Sequence, residues 1–470
     1  MNPVAQTHDA ADVIAKLLDP ARVERLLAGV IDWAPGVRPR QVAVERCWPT
    51  RSDGLAFEWS FDLGDGRRRA LYGTTGVDER HETLSSRCRA VPTAGGIRDV
   101  CVFVRAWNLV LHSPDRDPGM PHLRECLDGL RMADRLAPLW SRLDGRCAAV
   151  TPRVHCRPLG YRAGRRAAVA YCPSDSTDVR SGLIGKTFRN GRAAALAERH
   201  VRLNEQLAWA TNGRVRVPAV VERIPDLRMT LFSRAPGHVM GTTHRWTARQ
   251  IERIVDVLAV LHNTPLAGLS TYSVADERAV VRRWYDVLRR VLPAAAGEAE
   301  RRVETLLQAV GGIDATTRRT VHRDFYERQI VLGRRSVILL DLDTLALGHP
   351  CVDLGNLAAH LTLARLMAGD GASGEDGTSA DTFLRQYERS MGPVDRRTFA
   401  FYHASALFRV GAVHALRTRT RRFTAALWRQ ADRVLVAVSA NHGRIRVPSK
   451  PTEAPVASST ARTAPLATES

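Results

Sequence analysis

Asp324, Gln329, Asp341 and Asp343 fall within the single stretch VHRDFYERQIVLGRRSVILLDLDTLALGHPCVDLGN, residues 321–356, and a further acid, Asp353, closes it. Two short apolar runs, IVLG and SVILL, flank Arg334-Arg335 and read as a β-hairpin over 330–340. A hairpin returns its ends to one place, so Asp324 and Gln329 become neighbours of Asp341 and Asp343. Carboxylates that close repel each other unless positive charge sits among them. An amide oxygen with two carboxylates suits Mg²⁺, which takes hard oxygen ligands and keeps several positions for water or phosphate. On that reading Gln329, Asp341 and Asp343 are metal ligands, and Asp324 is left to face a substrate hydroxyl.

A cation is the missing partner, and the composition makes one stand out. The chain has 69 lysines and arginines, of which only Lys16, Lys186 and Lys450 are lysine. Arginine serves wherever a plain positive charge will do. A lysine inside the apolar, strand-like LIGKTF segment therefore asks for a specific role, because its ammonium is a compact point charge on a thin stem and arginine is a wide planar fork.

The elements that must position these groups follow from periodicity. Residues 1–146 mix patterns: a helical ADVIAKLLDPARVERLLAGVI, a hairpin LAFEWSFDLGDGRRRALYGTT with a Gly-Asp-Gly turn, a β-rich DVCVFVRAWNLVLHS and a helical LRECLDGLRMADRLAPLW. Residues 147–236 read as a small β-rich lobe. It has two strands around a turn at Ala163-Gly164, a third strand holding Lys186, a helix between Gly191 and Asn212-Gly213, and two more strands, VRVPAVVERI and RMTLFSRAPG. Residues 237–446 are mostly helical, with Ile251, Ile254, Val255, Leu258 and Leu261 on one face of the first helix. An acidic, Gly/Ser-rich stretch at 367–381 reads as a solvated loop, and residues 447–470 as a disordered tail.

The totals exclude several classes. No apolar run is long enough to span a bilayer, and the N-terminus lacks a secretory pattern, so a cytoplasmic, non-membrane protein is expected. The eight cysteines form no CxxC pair and read as scattered reduced thiols. The net charge of +20 raises the idea of nucleic acid. The arginine pairs are spread along the whole chain with no dense basic run, which argues against that partner and leaves anionic small molecules welcome.

The order HRDFYERQ, LLDLD and then LGHPCVDLGN resembles the aminoglycoside phosphotransferase/choline kinase-like family, which has the protein-kinase-like fold. The resemblance covers about residues 155–440. It implies an α+β, bilobal fold, with the first 146 residues as an extra N-terminal α/β extension. It implies ATP and Mg²⁺ as cofactors and a small-molecule hydroxyl acceptor, such as an antibiotic, a sugar or an amino alcohol. Asp324 would then be the catalytic carboxylate, and Lys186 would hold phosphates. A helical glutamate would steady Lys186: Glu198 and Glu205 lie seven residues apart on one face, and the family's spacing to Val217-Pro218 favours Glu205. The backbone at Phe232–Ala235, with Ser233 and Ala235, would read adenine.

Three departures qualify the resemblance. Gln329 stands where the family has Asn, Arg323 where it often has Gly, and His349 where it often has Asp. Only residues 344–352 separate Asp343 from Asp353, which leaves no room for a regulatory activation loop. Gln329 and the unassigned N-terminal part also motivate a different class, a kinase-shaped binding subunit without turnover. The N-terminal part is expected to cover the acceptor cleft, extend the small lobe's sheet or mediate dimerisation.

Overall fold

The computed structural model describes residues 10–50, 54–76, 84–93, 96–144, 153–174, 182–241, 247–309, 313–369 and 380–442. The tail from 447, Cys147, Lys450 and most of the acidic stretch, including Asp370, Glu375 and Asp376, lie outside these.

Two lobes carry the α+β arrangement expected of the chain, with a third body against both. The small lobe is a five-stranded antiparallel sheet in the order Val154–Arg162, Arg166–Pro173, Leu183–Phe188, Met229–Ser233 and Val220–Ile224. Its first two strands turn through Gly164, which sits at φ +62° where a side chain is disfavoured. The helix Arg192–Thr211 follows the third strand and ends on Asn212 in the left-handed conformation. It buries Ala193, Leu196, Ala197, His200, Leu203 and Leu207 as one stripe.

Val215–Arg216, expected in the small sheet, pairs instead in parallel with Val337–Leu339 of the large lobe. Pro218 explains the transfer: it has no N–H to donate, so the chain breaks there and begins a new strand at Val220. The hairpin expected over 330–340 is present as Ile330–Leu332 against Val337–Leu339, with Ile330 opposite Leu339. Around it pack the helices Ala248–Asn263, Cys351–Ala368, Ala380–Met391 and Arg396–Ala415. Thr247 and Gln250 close a capping box at the first of these.

The first 144 residues build their own five-stranded antiparallel sheet, in the order Arg40–Pro49, Leu55–Asp62, Arg68–Thr75, Leu109–His112 and Cys101–Val104. The long helical pattern at the N-terminus is split into Ala10–Leu18 and Pro20–Val30. Asp19 accepts hydrogen bonds from the Ala21 and Arg22 amides and Pro20 takes the first helical position, both of which start a new helix.

This sheet does not extend the small lobe's sheet; it packs on both lobes. Trp48, Tyr72, Met120, Leu136 and Trp140 share one core with Tyr161, Val169 and Tyr171 of the small lobe. Leu17, Leu27, Phe57 and Trp59 share another with Leu288, Leu407, Phe408 and Trp428 of the large lobe. Thr418 clasps the edge strand at Val44: its Oγ accepts from the Val44 N–H at 3.0 Å, and its own N–H donates to the Val44 carbonyl at 3.0 Å. Among the described residues no helix is long and apolar enough to cross a membrane.

Candidate active site

The hairpin ends do meet. The Leu340 N–H donates to the Gln329 carbonyl at 2.9 Å, which fixes Asp341 one residue from Gln329 across the ladder. Asp341 then turns in the left-handed conformation, φ +54°, and a single 3-10 turn, Leu342–Thr344, presents Asp343 to the same side. Lys186 reaches across from the small lobe, its Nζ 2.8 Å from Asp341 Oδ1 and 3.0 Å from Asp343 Oδ1. Arg166, at the start of the second strand, donates to Asp343 and approaches Asp341 at 3.5 Å. Two cations and two carboxylates thus interlock across the gap between the lobes.

Electrostatics follow from that interlock. Burial alone would raise the Asp341 carboxyl, but Lys186 and then Arg166 outweigh it and hold the group below the usual carboxylate range. Burial alone would lower the Lys186 ammonium, and Asp341 and Asp343 reverse the effect and raise it.

Asp324 has a different environment. Burial pushes its carboxyl above the ordinary value, tempered by Arg409 and His322. Its loop is braced from beneath: Asp353, wholly buried, accepts the His322 N–H at 2.7 Å and the Arg323 N–H at 2.6 Å. His322 in turn bonds the Leu340 carbonyl through Nε2 at 2.8 Å. His262 joins the same brace between Asp353 at 3.1 Å and the Tyr387 hydroxyl at 2.7 Å. Arg323 takes φ +69°, a conformation that glycine adopts freely, and lays its guanidinium 3.8 Å from the centre of the Tyr272 ring.

Two cavities open on this constellation. The larger, of about 540 Å³, lies between the hairpin tip, the start of the Arg192–Thr211 helix and the loop carrying Asp324. The smaller, of about 250 Å³, is lined by Lys186, Gln329, Tyr326 and Leu159, with Arg46 arriving from the N-terminal sheet. Asp324, Asp341, Asp343 and Arg166 line both. Among the described residues no three His, Cys, Asp or Glu side chains converge as a metal cage.

Two expectations need correction. Glu205 does not hold Lys186. It is exposed, as is Glu198, and Lys186 bonds Asp341 and Asp343 instead. Leu203 and Leu207 mark the buried stripe, and Glu205 lies two residues, about 200°, beyond Leu203 on the solvent side. The helix residue that does reach across is Arg199, whose guanidinium donates to the Leu342 carbonyl at 3.2 Å. Ser233 is the second correction. Its N–H donates to the Ala219 carbonyl at 2.8 Å and its Oγ accepts from the Ala219 N–H at 3.1 Å, so its N–H is not left for a ligand. Ala235 is half-buried, and neither residue lines the two cavities.

Sequence reasoning missed Arg166, which belongs to one of the dispersed arginine pairs. Its signal was position: it opens the strand that pairs directly with the Lys186 strand. Nothing in the sequence marked Arg46 or Asp117. The latter accepts from the Tyr161 hydroxyl at 2.5 Å and the Gly164 N–H at 2.7 Å, pinning the hairpin tip to the N-terminal body.

Residues 175–402 match the model of the phosphotransferase enzyme family. No curated protein sequence matches the chain. Among solved structures the chain is similar to a choline/ethanolamine kinase family protein from Mesorhizobium loti, at 14 % identity over 66 % of this chain and 99 % of that one, with a TM-score of 0.44. It is similar to choline kinase from Streptococcus pneumoniae, at 14 % identity over 65 % and 99 %, TM-score 0.41. It is also similar to spectinomycin phosphotransferase in complex with ADP and spectinomycin, at 12 % identity over 61 % and 93 %, TM-score 0.42. The matched segment contains Lys186, Asp324, Gln329, Asp341 and Asp343, and over that segment the chain resembles the phosphotransferase enzyme family.

Proposed function

We propose that this protein transfers the γ-phosphoryl group of ATP, with Mg²⁺, to a hydroxyl of a small molecule. One observation carries the reading: Lys186, Asp341 and Asp343 meet within hydrogen-bond distance, and Asp324 lines the same cavities with its carboxyl raised by burial.

The donor set fits Mg²⁺ in kind. Asp341, Asp343 and the Gln329 amide supply hard oxygens on one side of the cleft, and with no protein-only cage among the described residues the remaining positions fall to phosphate oxygens and water. When bound, the ion would neutralise charge building on the transferred group. The residues of the chain do the rest. Lys186 exchanges a carboxylate for phosphate oxygens, Arg166 is released from Asp343 to the same polyanion, and Asp324 orients the acceptor hydroxyl and takes its proton as the new bond forms. Ala235 is the remaining hinge group for the adenine edge.

The test is phosphate transfer to a panel of hydroxylated acceptors, read by mass spectrometry, for wild type and Asp324→Asn. Transfer by wild type, reduced by about a thousandfold in the variant, is expected. A second reading, a kinase-shaped binding subunit, is favoured by the absence of an acidic partner for Lys186 on its neighbouring helix. It wins if neither protein consumes ATP while wild type still binds a small molecule or protein partner.

A further inference from the structure

The larger cavity has an unusual wall. Of its eighteen lining residues seven are arginine: Arg162, Arg165 and Arg166 from the hairpin, Arg189 from the strand-to-helix connection, Arg192 and Arg199 from the helix that follows, and Arg323. The chain is arginine-rich, with 66 in 470 residues, yet eighteen residues drawn at that frequency would include only about two or three. The arginines are concentrated here.

The charge balance exceeds what a nucleotide needs. The smaller cavity adds Lys186 and Arg46, the latter paired with Glu58 at 3.2 Å. With Arg46 and Arg165 set aside, seven cations of the joined basin face Asp324, Asp341 and Asp343. Four positive charges remain, and magnesium-bound ATP carries only about two negative ones. Arg162, Arg189 and Arg192 have no carboxylate partner among the described residues. Arg162 is held below its ordinary basicity by burial and then by the neighbouring Arg166 and Arg165, against which Asp324 only partly acts. The Arg192–Thr211 helix adds its positive end: its first turn, at Arg192 and Ala195, faces the cavity, and its N-cap Gly191 offers no side chain to satisfy the leading amides.

Resting on the phosphotransferase reading above, we propose that the acceptor is an anionic hydroxyl compound, bearing a phosphate or carboxylate that seats against Arg189, Arg192 and the helix N-terminus. An amino sugar or a quaternary amine would face like charge on this wall, which disfavours it. In the transfer, the acceptor oxygen forms a bond to the γ-phosphorus and the bond from that phosphorus to the β,γ-bridging oxygen breaks. ADP leaves with the bonding pair, and the hydroxyl proton passes to Asp324. The acceptor's own anion stays intact as a handle.

The experiment uses the full chain loaded with magnesium and a non-hydrolysable ATP analogue. Calorimetry compares gluconate, glucose 6-phosphate and glucosamine, three probes of similar size and differing charge, and transfer from ATP to each is then followed. We expect one or both anions to bind at least tenfold more tightly than glucosamine and to be phosphorylated; the better of the two identifies carboxylate or phosphate as the handle. Both Arg189 and Arg192 are exposed, so Arg189→Gln/Arg192→Gln should fold and lose that preference by at least tenfold while keeping nucleotide affinity within about threefold. Glucosamine binding as tightly as the anions, no anion binding, or anion binding without transfer each overturns the anionic acceptor. In those cases nucleotide binding and any transfer to glucosamine leave the phosphotransferase reading standing. Failure to bind the ATP analogue at all would overturn both.

Discussion

Lys186 holds the centre of the site because each neighbour needs it. Without it, Asp341 and Asp343 would share one cation, Arg166, and the phosphates would lose their nearest point charge. Lys186→Ala should lower kcat/KM by about a hundredfold or more, and Lys186→Arg should not restore it, since a planar fork does not fill the place of a single ammonium. Steady-state kinetics with both variants checks this. Asp324 gives a second expectation. Its carboxyl is raised, activity needs it ionised, and activity is therefore lost as pH falls through a value above the ordinary carboxylate range. The acid limb of kcat/KM against pH should sit higher than that of an exposed aspartate. These residues were legible because they are chemically conspicuous: a rare lysine and acids at hairpin ends. The wrong partner for Lys186 came from weighing the two glutamates only against each other. Measured against Leu196, Leu203 and Leu207, both fall on the solvent side, and that phase is written in the sequence.

At the scale of elements, the loop of Asp324 is only as fixed as the helix that braces it. Cys351–Ala368 carries Asp353 and packs against Arg396–Ala415 at Gly355, where a Cβ would come 2.7 Å from the His403 nitrogen and 2.7 Å from the Tyr402 carbonyl carbon. Both are backbone atoms, so one helix must move. Gly355→Ala should destabilise the fold by about 1–3 kcal/mol and lower turnover with it, visible in urea unfolding and in kcat together. The opposite rim of the cleft is held by Asp117. Asp117→Ala frees the Tyr161 hydroxyl and the Gly164 amide in a buried setting, and a loss of about 1–3 kcal/mol is expected, with a raised KM for nucleotide as the hairpin tip loosens. Hairpins and helices were readable from turn residues and apolar spacing. The strand at Val215 was misplaced because local pattern says that a segment is extended and not which sheet it joins.

At the scale of the molecule, four histidines record how tightly the parts are packed. Burial holds His200 at about 3, His360 at about 3, His403 at about 4 and His414 at about 3, with Lys186 adding to the first, Arg409 to the second and Arg417 to the last. In the unfolded chain each would take a proton near the ordinary histidine value. Below that value the unfolded state binds more protons, so stability falls as pH falls. One unit below it each site contributes a loss of about 1.4 kcal/mol. Urea midpoints at pH 7.5 and 5.5 should differ accordingly, and His403→Gln should shrink the difference by about that amount; an unchanged difference would show that His403 does not carry it. Which surfaces the N-terminal sheet would cover was invisible beforehand, because burial between distant segments leaves no local period. It shares apolar cores with both lobes, so removing residues 1–146 should yield aggregated material and not a smaller active kinase, checked by solubility and nucleotide binding.

That shared back-plate has a mechanical consequence. Two jaws fastened to one board can gape only as far as that board flexes, so the mouth opens less freely than one swinging on a single linker.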